Sequence, residues 1–421
     1  MILKGKPQLP GDKSISHRAA IFAAMAEGVT KIDNFSASAD CASTLECLKR
    51  LGVGIERDGS QVSVTGVGKT GFSKAGQDLD CGNSGTTMRL LSGVLAGQQF
   101  SSVLTGDESL RSRPMKRVKI PLEIMGAKVE TADGNAPLKI TGRHKLTAVE
   151  YKPPVASAQI KSCVLLAGLN ADGITKVIEP IPTRDHTERM LAFLGASLEK
   201  NGDVISISGE SRLTAKDITI PCDVSAAAFF ITATACLSGS EVVMENVGLN
   251  PSRISFIDVA KELGVDIEIS DNNDLSGEPT GTITVRGGNS KAVQKPYRIG
   301  GGTIANLIDE IPILAILGTQ LDGGIEVRDA GELRAKESDR IAAVVNNLKK
   351  MNAEIEEFPD GFRVGRSSLK GAEIDSYGDH RIAMAFGIAS LFAEGETKIL
   401  DKKCADVSFP GFFEELKRIS Q

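Results

Sequence analysis

A repeated pattern constrains this 421-residue chain more than any single motif. A polar, turn-like start runs into a helical stretch of small apolar residues and then a glycine. The copies begin at Asp12, Asn83, Ser157, Asp223, Asp309 and Asp379, about 70 residues apart with a longer fourth interval. A second pattern is interleaved with the first. An amphipathic helix closes on an apolar-Gly-small triplet (Leu51-Gly52-Val53, Met125-Gly126-Ala127, Leu194-Gly195-Ala196, Leu263-Gly264-Val265), with Met351-Asn352-Ala353 in the fifth copy. An alternating run follows, such as Val62-Ser63-Val64 or Val204-Ile205-Ser206-Ile207. Glycine after a helix suits a left-handed C-cap, and alternation suits a half-buried strand. Asp58-Gly59, Asp133-Gly134, Asn201-Gly202 and Asp360-Gly361 lie between strand-like runs and read as hairpin turns.

Each unit therefore reads β-α-β-α-β-β. The expectation is an α/β protein of two similar domains, each of three such repeats around buried helices, an inside-out α/β barrel. One domain takes residues 12–221; the other is discontinuous, 1–11 plus 222–421. The sixth repeat ends in a helix, Phe409–Ile419, with no strands after it. The N-terminal segment Met1–Leu9 would supply a missing strand if the last repeat closes onto the first. A solenoid is the alternative for such a repeat. The uneven fourth interval and the apolar-all-round Ala-rich helices favour compact domains. Aromatics make up 4% of the chain and Trp is absent, so the cores are aliphatic.

The net charge of −5 argues against a general nucleic-acid binder, so any cationic site is local. The seven cysteines form no C-x-x-C pair and read as small core residues. No apolar run has the length of a transmembrane helix, and the N-terminus shows no targeting pattern. The expectation is a reduced, cytoplasmic protein with no membrane or nucleic-acid partner. No G-x-x-x-x-G-K-[ST] or G-x-G-x-x-G stretch points to a nucleotide, and the four histidines show no metal spacing.

Cations collect at helix starts. Pro10-Gly11-Asp12-Lys13-Ser14-Ile15-Ser16-His17-Arg18 puts Lys13 and Arg18 where the helix dipole is positive, against the usual preference for acids. A bound anion explains that placement; a solvated helix start with two surface cations explains it as well. Arg89, Lys161, His380 and Arg381 occupy similar positions in other Ala-rich helices. Arg111, Arg113, Arg184, His186, Arg253, Lys336 and Arg340 do so in the amphipathic set. If the repeats surround threefold pseudo-axes, these groups converge on one cleft suited to several phosphates or carboxylates. Among them lie Asp309, Glu310, Glu337 and Asp339, carboxylates able to move protons on a bound molecule. For Glu337 and Asp339, ion pairs on an exposed helix are the competing reading.

The segments PGDKSISHR (10–18), GNSGTTMRLL (82–91), LRSRPMKRV (110–118), SAQIKS (157–162), RDHTERM (184–190), LIDEIP (307–312), ELRAKESDR (332–340), GDHRIAMA (378–385) and SFPGF (408–412) resemble the 5-enolpyruvylshikimate-3-phosphate synthases, a family of enolpyruvyl transferases. The resemblance spans the chain. It implies two domains that close over shikimate 3-phosphate and phosphoenolpyruvate, joining them through a tetrahedral intermediate and releasing phosphate, with no metal or organic cofactor. It assigns Lys13 to both substrates and to proton transfer. Ser14, Arg18, Ser157, Ala158, Gln159, Arg184, Asp309 and Lys336 fall to shikimate 3-phosphate. Asn83, Gly85, Arg113, Gln159, Arg340 and Arg381 fall to phosphoenolpyruvate, with Thr86 beside them. Asp309 would handle the 5-hydroxyl proton and Glu337 the C3 proton, and His380 would orient the leaving phosphate. Gly85 leaves room for phosphoenolpyruvate and for glyphosate in competition with it. Many members have Ser at Ala158, Asn at Glu332, Lys at Val407, and Ser and Tyr at Arg184 and Thr187. Lys402 or Lys403 then remains for the C-terminal contact. The expected state is a monomer. The alternatives are a transferase acting on UDP-N-acetylglucosamine and a non-catalytic polyanion-binding relative. The first would carry Lys-Asn where Lys13-Ser14 stands, and the second would lack Lys13, Asp309 or Glu337.

Overall fold

In the computed structural model, which describes residues 1–288 and 295–421, the chain forms two compact units. One comprises Gly11–Ile220 with Asp274–Glu278; the other comprises Met1–Pro10, Pro221–Asn273 and Pro279–Gln421. The borders differ from those read in the sequence by one residue and by the segment Asp274–Glu278. That segment is the tip of a long hairpin, Asp266–Leu275 with Glu278–Arg286. Its bonds explain the assignment. Thr219 N donates to Ser276 Oγ (3.0 Å), Arg189 Nη1 to Gly277 O (3.4 Å), and His186 Nδ1 lies 2.7 Å from Glu278 Oε1.

The 11–220 unit has three Ala- and Leu-rich helices, Lys13–Met25, Gly85–Ala96 and Ala158–Gly168, almost wholly buried. Such helices have no polar face to present to water, so sheets must cover them on all sides. Three four-stranded sheets do so, each with an antiparallel hairpin, a third antiparallel strand and a short parallel edge strand. The edge strand comes from the preceding repeat: Leu79–Asp80 pairs with Leu104–Thr105, and Glu150–Tyr151 with Lys176–Val177. Ile218–Thr219, at the end of the third repeat, pairs with Ile32–Asp33 of the first and closes the ring.

The other unit repeats the plan around Val224–Cys236, Ile311–Gly318 and His380–Ala389. Its ring is closed by the chain's own start. Lys4–Gly5 pairs in parallel with Glu241–Val242, and Ile2 and Gln421 exchange backbone bonds of 3.1 and 2.8 Å. The third sheet is reduced to two parallel strands, Glu373–Ile374 and Lys398–Ile399. The helix Phe412–Ile419 stands where a hairpin would follow. Phe412 packs edge-on against Phe229 and Phe409, with ring centroids 5.7 and 5.5 Å apart. Aromatic area there replaces that of the missing strands.

Gly52, Gly126, Gly195, Gly264 and Asn352 all take positive φ after their amphipathic helices, as the triplets require. The hairpin turns differ in register. Only Asp133-Gly134 fills a two-residue loop, with φ of 50° and 90°. Elsewhere the loops are Gly59-Ser60, Gly202-Asp203 and Pro359-Asp360, because the first residue of each dipeptide, or Gly361, still pairs in the ladder.

Candidate active site

In the 11–220 unit, the first turns of the three buried helices are linked by side chains. Asp12 caps the first helix by accepting from Ile15 N at 2.8 Å. Lys13 Nζ lies 3.0 Å from Asp40 Oδ2, with both side chains largely shielded. Arg18 is 3% exposed, which removes the surface-helix reading of this stretch. Its guanidinium donates to Thr187 Oγ1 (2.7 Å), Ser162 Oγ (3.0 Å) and the Ser14 carbonyl (2.9 Å). Burial pushes its pKa down to about 10; the Glu188 carboxylate opposes the shift and the nearby Arg184 adds to it. His17 Nδ1 meets Thr44 Oγ1 at 2.6 Å, and Thr44 meets Thr87 at 2.6 Å. Burial, with Lys13 and Arg18 nearby, holds His17 well below the usual imidazole range.

Ser84 caps the Gly85–Ala96 helix and Ser157 the Ala158–Gly168 helix. Asn83 Oδ1 accepts from Arg113 Nη2 at 2.6 Å, and its amide donates to Asp107 at 2.7 Å. Arg89 Nη1 donates to Gln159 Oε1 (2.6 Å), and Gln159 Nε2 donates to Thr86 Oγ1 (2.9 Å). A methyl built on Gly85 would stand 2.5 Å from Arg89 Nη1 and 3.3 Å from Arg113 Nη1. The structure thus brings Lys13, Arg18, Gln159 and Arg113 to linked helix starts, where dipoles and guanidiniums favour anions. Lys161 is not among these cations. It is 1% exposed and held between Glu179 (2.9 Å) and Glu188 (2.7 Å). His186 is likewise buried against Glu278, and Arg111 is exposed.

The other unit builds its cluster around Arg340, whose side chain is 1% exposed. Nε donates to Asp379 Oδ2 (2.8 Å), Nη2 to Glu337 Oε2 (2.7 Å) and Nη1 to Asp309 Oδ1 (3.3 Å). Burial alone would lower the pKa of this arginine; Asp379, Glu337 and Asp309 outweigh it and raise it. Asp379 caps the His380–Ala389 helix through Arg381 N (2.9 Å) and is fully buried. Burial would raise its pKa, but Arg340 holds it below the ordinary carboxylate value. Arg381 Nη1 donates to the Asp309 carbonyl at 2.8 Å and lies 3.7 Å from Glu310. Arg253 donates to Ser225 Oγ, which in turn donates to Glu310 Oε1.

Glu337 precedes the helix Arg340–Lys350 rather than riding on it, and Asp339 caps that helix at Ala342 N (3.0 Å). The Glu337–Arg340 pair is therefore not a surface pair, whereas Asp339 serves as a cap and pairs with Arg334 at 2.7 Å. Lys336 ends the turn Gly331–Ala335, His380 opens its helix nearly buried, and Lys402 lies over the Phe413 ring. Sequence reasoning missed Asp379, Asp40 and Ser162 and noted Thr187 only as a departure from the family pattern. Asp379 had a signal, an Asp at a helix start directly before His-Arg; the other three become visible only when helices pack. Among the described residues no group of His, Cys, Asp or Glu is arranged to hold a metal, and no single helix is long and apolar enough to cross a membrane.

The sequence profile of the EPSP synthase (3-phosphoshikimate 1-carboxyvinyltransferase) family matches residues 2–416. A 3-phosphoshikimate 1-carboxyvinyltransferase of Bacillus licheniformis is 48% identical over 100% of this chain and 98% of its own length. One from Koribacter versatilis is 49% identical over 99% and 96%. The solved EPSP synthase of Acinetobacter baumannii superposes with a TM-score of 0.88 at 41% identity, covering 100% of this chain and 96% of that one. The enolpyruvyl transferase NikO of Streptomyces tendae shares the fold, with a TM-score of 0.79 at 18% identity. With all six repeats and both clusters inside these matches, the chain belongs to the EPSP synthase family.

Proposed function

We propose that the two clusters divide the chemistry of one reaction. As a 3-phosphoshikimate 1-carboxyvinyltransferase, the enzyme moves the enolpyruvyl group of phosphoenolpyruvate to the 5-hydroxyl of shikimate 3-phosphate. The hydroxyl oxygen bonds to C2 as C3 takes a proton. The C2–O bond to phosphate then breaks as C3 gives a proton back. The steps need polyanion binding, a base for the hydroxyl and an acid–base group at C3.

Arg18, Ser14, Ser157, Ala158, Gln159, Arg184 and Lys336 are assigned to shikimate 3-phosphate. Guanidiniums bind phosphate through paired, charge-assisted bonds. Asn83, Gly85, Arg113, Arg340 and Arg381 are assigned to phosphoenolpyruvate, and Lys13 to both substrates. Asp309 takes the hydroxyl proton, Glu337 serves C3, and His380 faces the leaving phosphate. The observation that carries this reading is Arg340, whose single guanidinium touches both Asp309 and Glu337. It would fix two carboxylates of different role relative to each other and to the phosphate it binds. In this reading carboxylates and Lys13 supply the proton steps, and no metal or organic cofactor is assigned a role.

The enzyme is proposed to act as a cytoplasmic monomer and to bind glyphosate against phosphoenolpyruvate. The test is phosphate release from shikimate 3-phosphate plus phosphoenolpyruvate in the presence of a chelator. Release only with UDP-N-acetylglucosamine, or with neither acceptor, would refute the assignment.

A further inference from the structure

Arg18 is a buried guanidinium whose three described hydrogen bonds all end on neutral oxygens: two hydroxyls and a peptide carbonyl. None of the described ion pairs includes it. Buried carboxylates nevertheless stand close by: Asp12, which caps Ile15 N, Glu278, which faces His186, and Glu188. Glu188 directly follows Thr187, the residue that binds Arg18 Nε, and its field reaches the Arg18 guanidinium. A carboxylate with that access would ordinarily settle on the nearest buried cation, because an unpaired buried charge is costly. Here Glu188 is held by Lys161 instead, at 2.7 Å, and the same ammonium pairs with Glu179 at 2.9 Å and faces the Thr183 carbonyl at 3.5 Å. Lys161 and Ser162 are adjacent on one helix. Lys161 therefore holds the carboxylates while its neighbour Ser162 orients the guanidinium.

We propose that Lys161 is a positioning residue for shikimate 3-phosphate: it holds Glu188 away from Arg18, which is thereby kept for an anionic group of that substrate. The proposal rests on the assignment of Arg18 to that substrate. A lysine is suited to this task because its ammonium is a compact point charge that can serve two carboxylates at once. Its side chain touches no substrate in this account. Its effect reaches the substrate through Glu188 and Arg18.

The test is steady-state kinetics for both substrates in Lys161→Gln, Glu188→Gln and the double variant. Lys161→Gln frees Glu188 to neutralise Arg18 and should raise KM for shikimate 3-phosphate about tenfold or more, the worth of one charge-assisted bond. KM for phosphoenolpyruvate should not change. Glu188→Gln alone should leave KM for shikimate 3-phosphate within about threefold, and adding it to Lys161→Gln should restore that constant, since the competing charge is gone. A purely structural lysine would give losses shared by both substrates and no rescue, and that result would overturn the proposal. If Lys161→Gln does not fold, the other two variants decide. A tenfold rise in Glu188→Gln, or in a folded double variant, also overturns it. Arg18→Gln separates the two levels: an unchanged KM for shikimate 3-phosphate sinks the assignment of Arg18 to that substrate, whereas a raised KM without rescue in the double variant sinks only the role of Lys161.

Discussion

Adding one methyl group at Gly85 tests the geometry of the proposed phosphoenolpyruvate site. A Cβ there would stand 2.5 Å from Arg89 Nη1 and 3.3 Å from Arg113 Nη1. The first distance is a clash, but it is with the far end of a flexible side chain, so the guanidinium moves and the helix survives. Gly85 opens the helix Gly85–Ala96, and alanine is favoured over glycine by up to about 1 kcal/mol in a helix interior. Stability should therefore change by no more than about 1 kcal/mol in either direction. Function should change more. Arg89 Nη1 is bonded to Gln159 at 2.6 Å and Arg113 Nη2 to Asn83 at 2.6 Å, so displacement disturbs both arms of the site. Losing one charge-assisted bond costs about 1.5–3 kcal/mol, a factor of about 10 to 150 in KM for phosphoenolpyruvate. The assay is phosphate release with each substrate varied in turn, beside a thermal melt. KM for phosphoenolpyruvate within twofold of the parent, with the fold intact, would show that neither guanidinium serves that substrate.

Lys13→Met should abolish turnover; near-normal rates would remove Lys13 from the proton-transfer scheme. Arg340→Met leaves Asp379, Glu337 and Asp309 without their shared cation and should cost about 3–5 kcal/mol in denaturant unfolding. A loss below about 1 kcal/mol would mean that the cluster rearranges freely. His17 has a folded pKa below its unfolded value, so the unfolded chain takes up the proton first on acidification. Stability should then fall as pH drops below about 6.5, by up to about 1.4 kcal/mol per pH unit, and His17→Gln should flatten that slope in urea titrations from pH 7.5 to 5.5. An unchanged slope would refute the linkage.

The repeat, the buried helices and the left-handed helix ends were legible because each follows from periodicity and backbone sterics within about 20 residues. The turn register was not, since it depends on which residues the ladder still pairs. Asp274–Glu278 was invisible for a related reason: its grouping follows from bonds to Arg189, Thr219 and His186, distant in sequence. In the site, charge at helix starts singled out Lys13 and Arg18 in one unit and Arg340 and Arg381 in the other. The same rule misplaced Lys161, because charge in a sequence does not reveal whether a carboxylate partner is packed against it. Asp379 was overlooked because a helix-capping aspartate is common, and only its burial against Arg340 sets it apart.

The most direct measurement is a crystal structure with shikimate 3-phosphate bound. The account predicts the substrate in contact with the guanidiniums of Arg18 and Arg184 and with Ser157, with Lys161 still holding Glu179 and Glu188. A substrate bound elsewhere, with Arg18 still donating only to Thr187, Ser162 and Ser14, would contradict it.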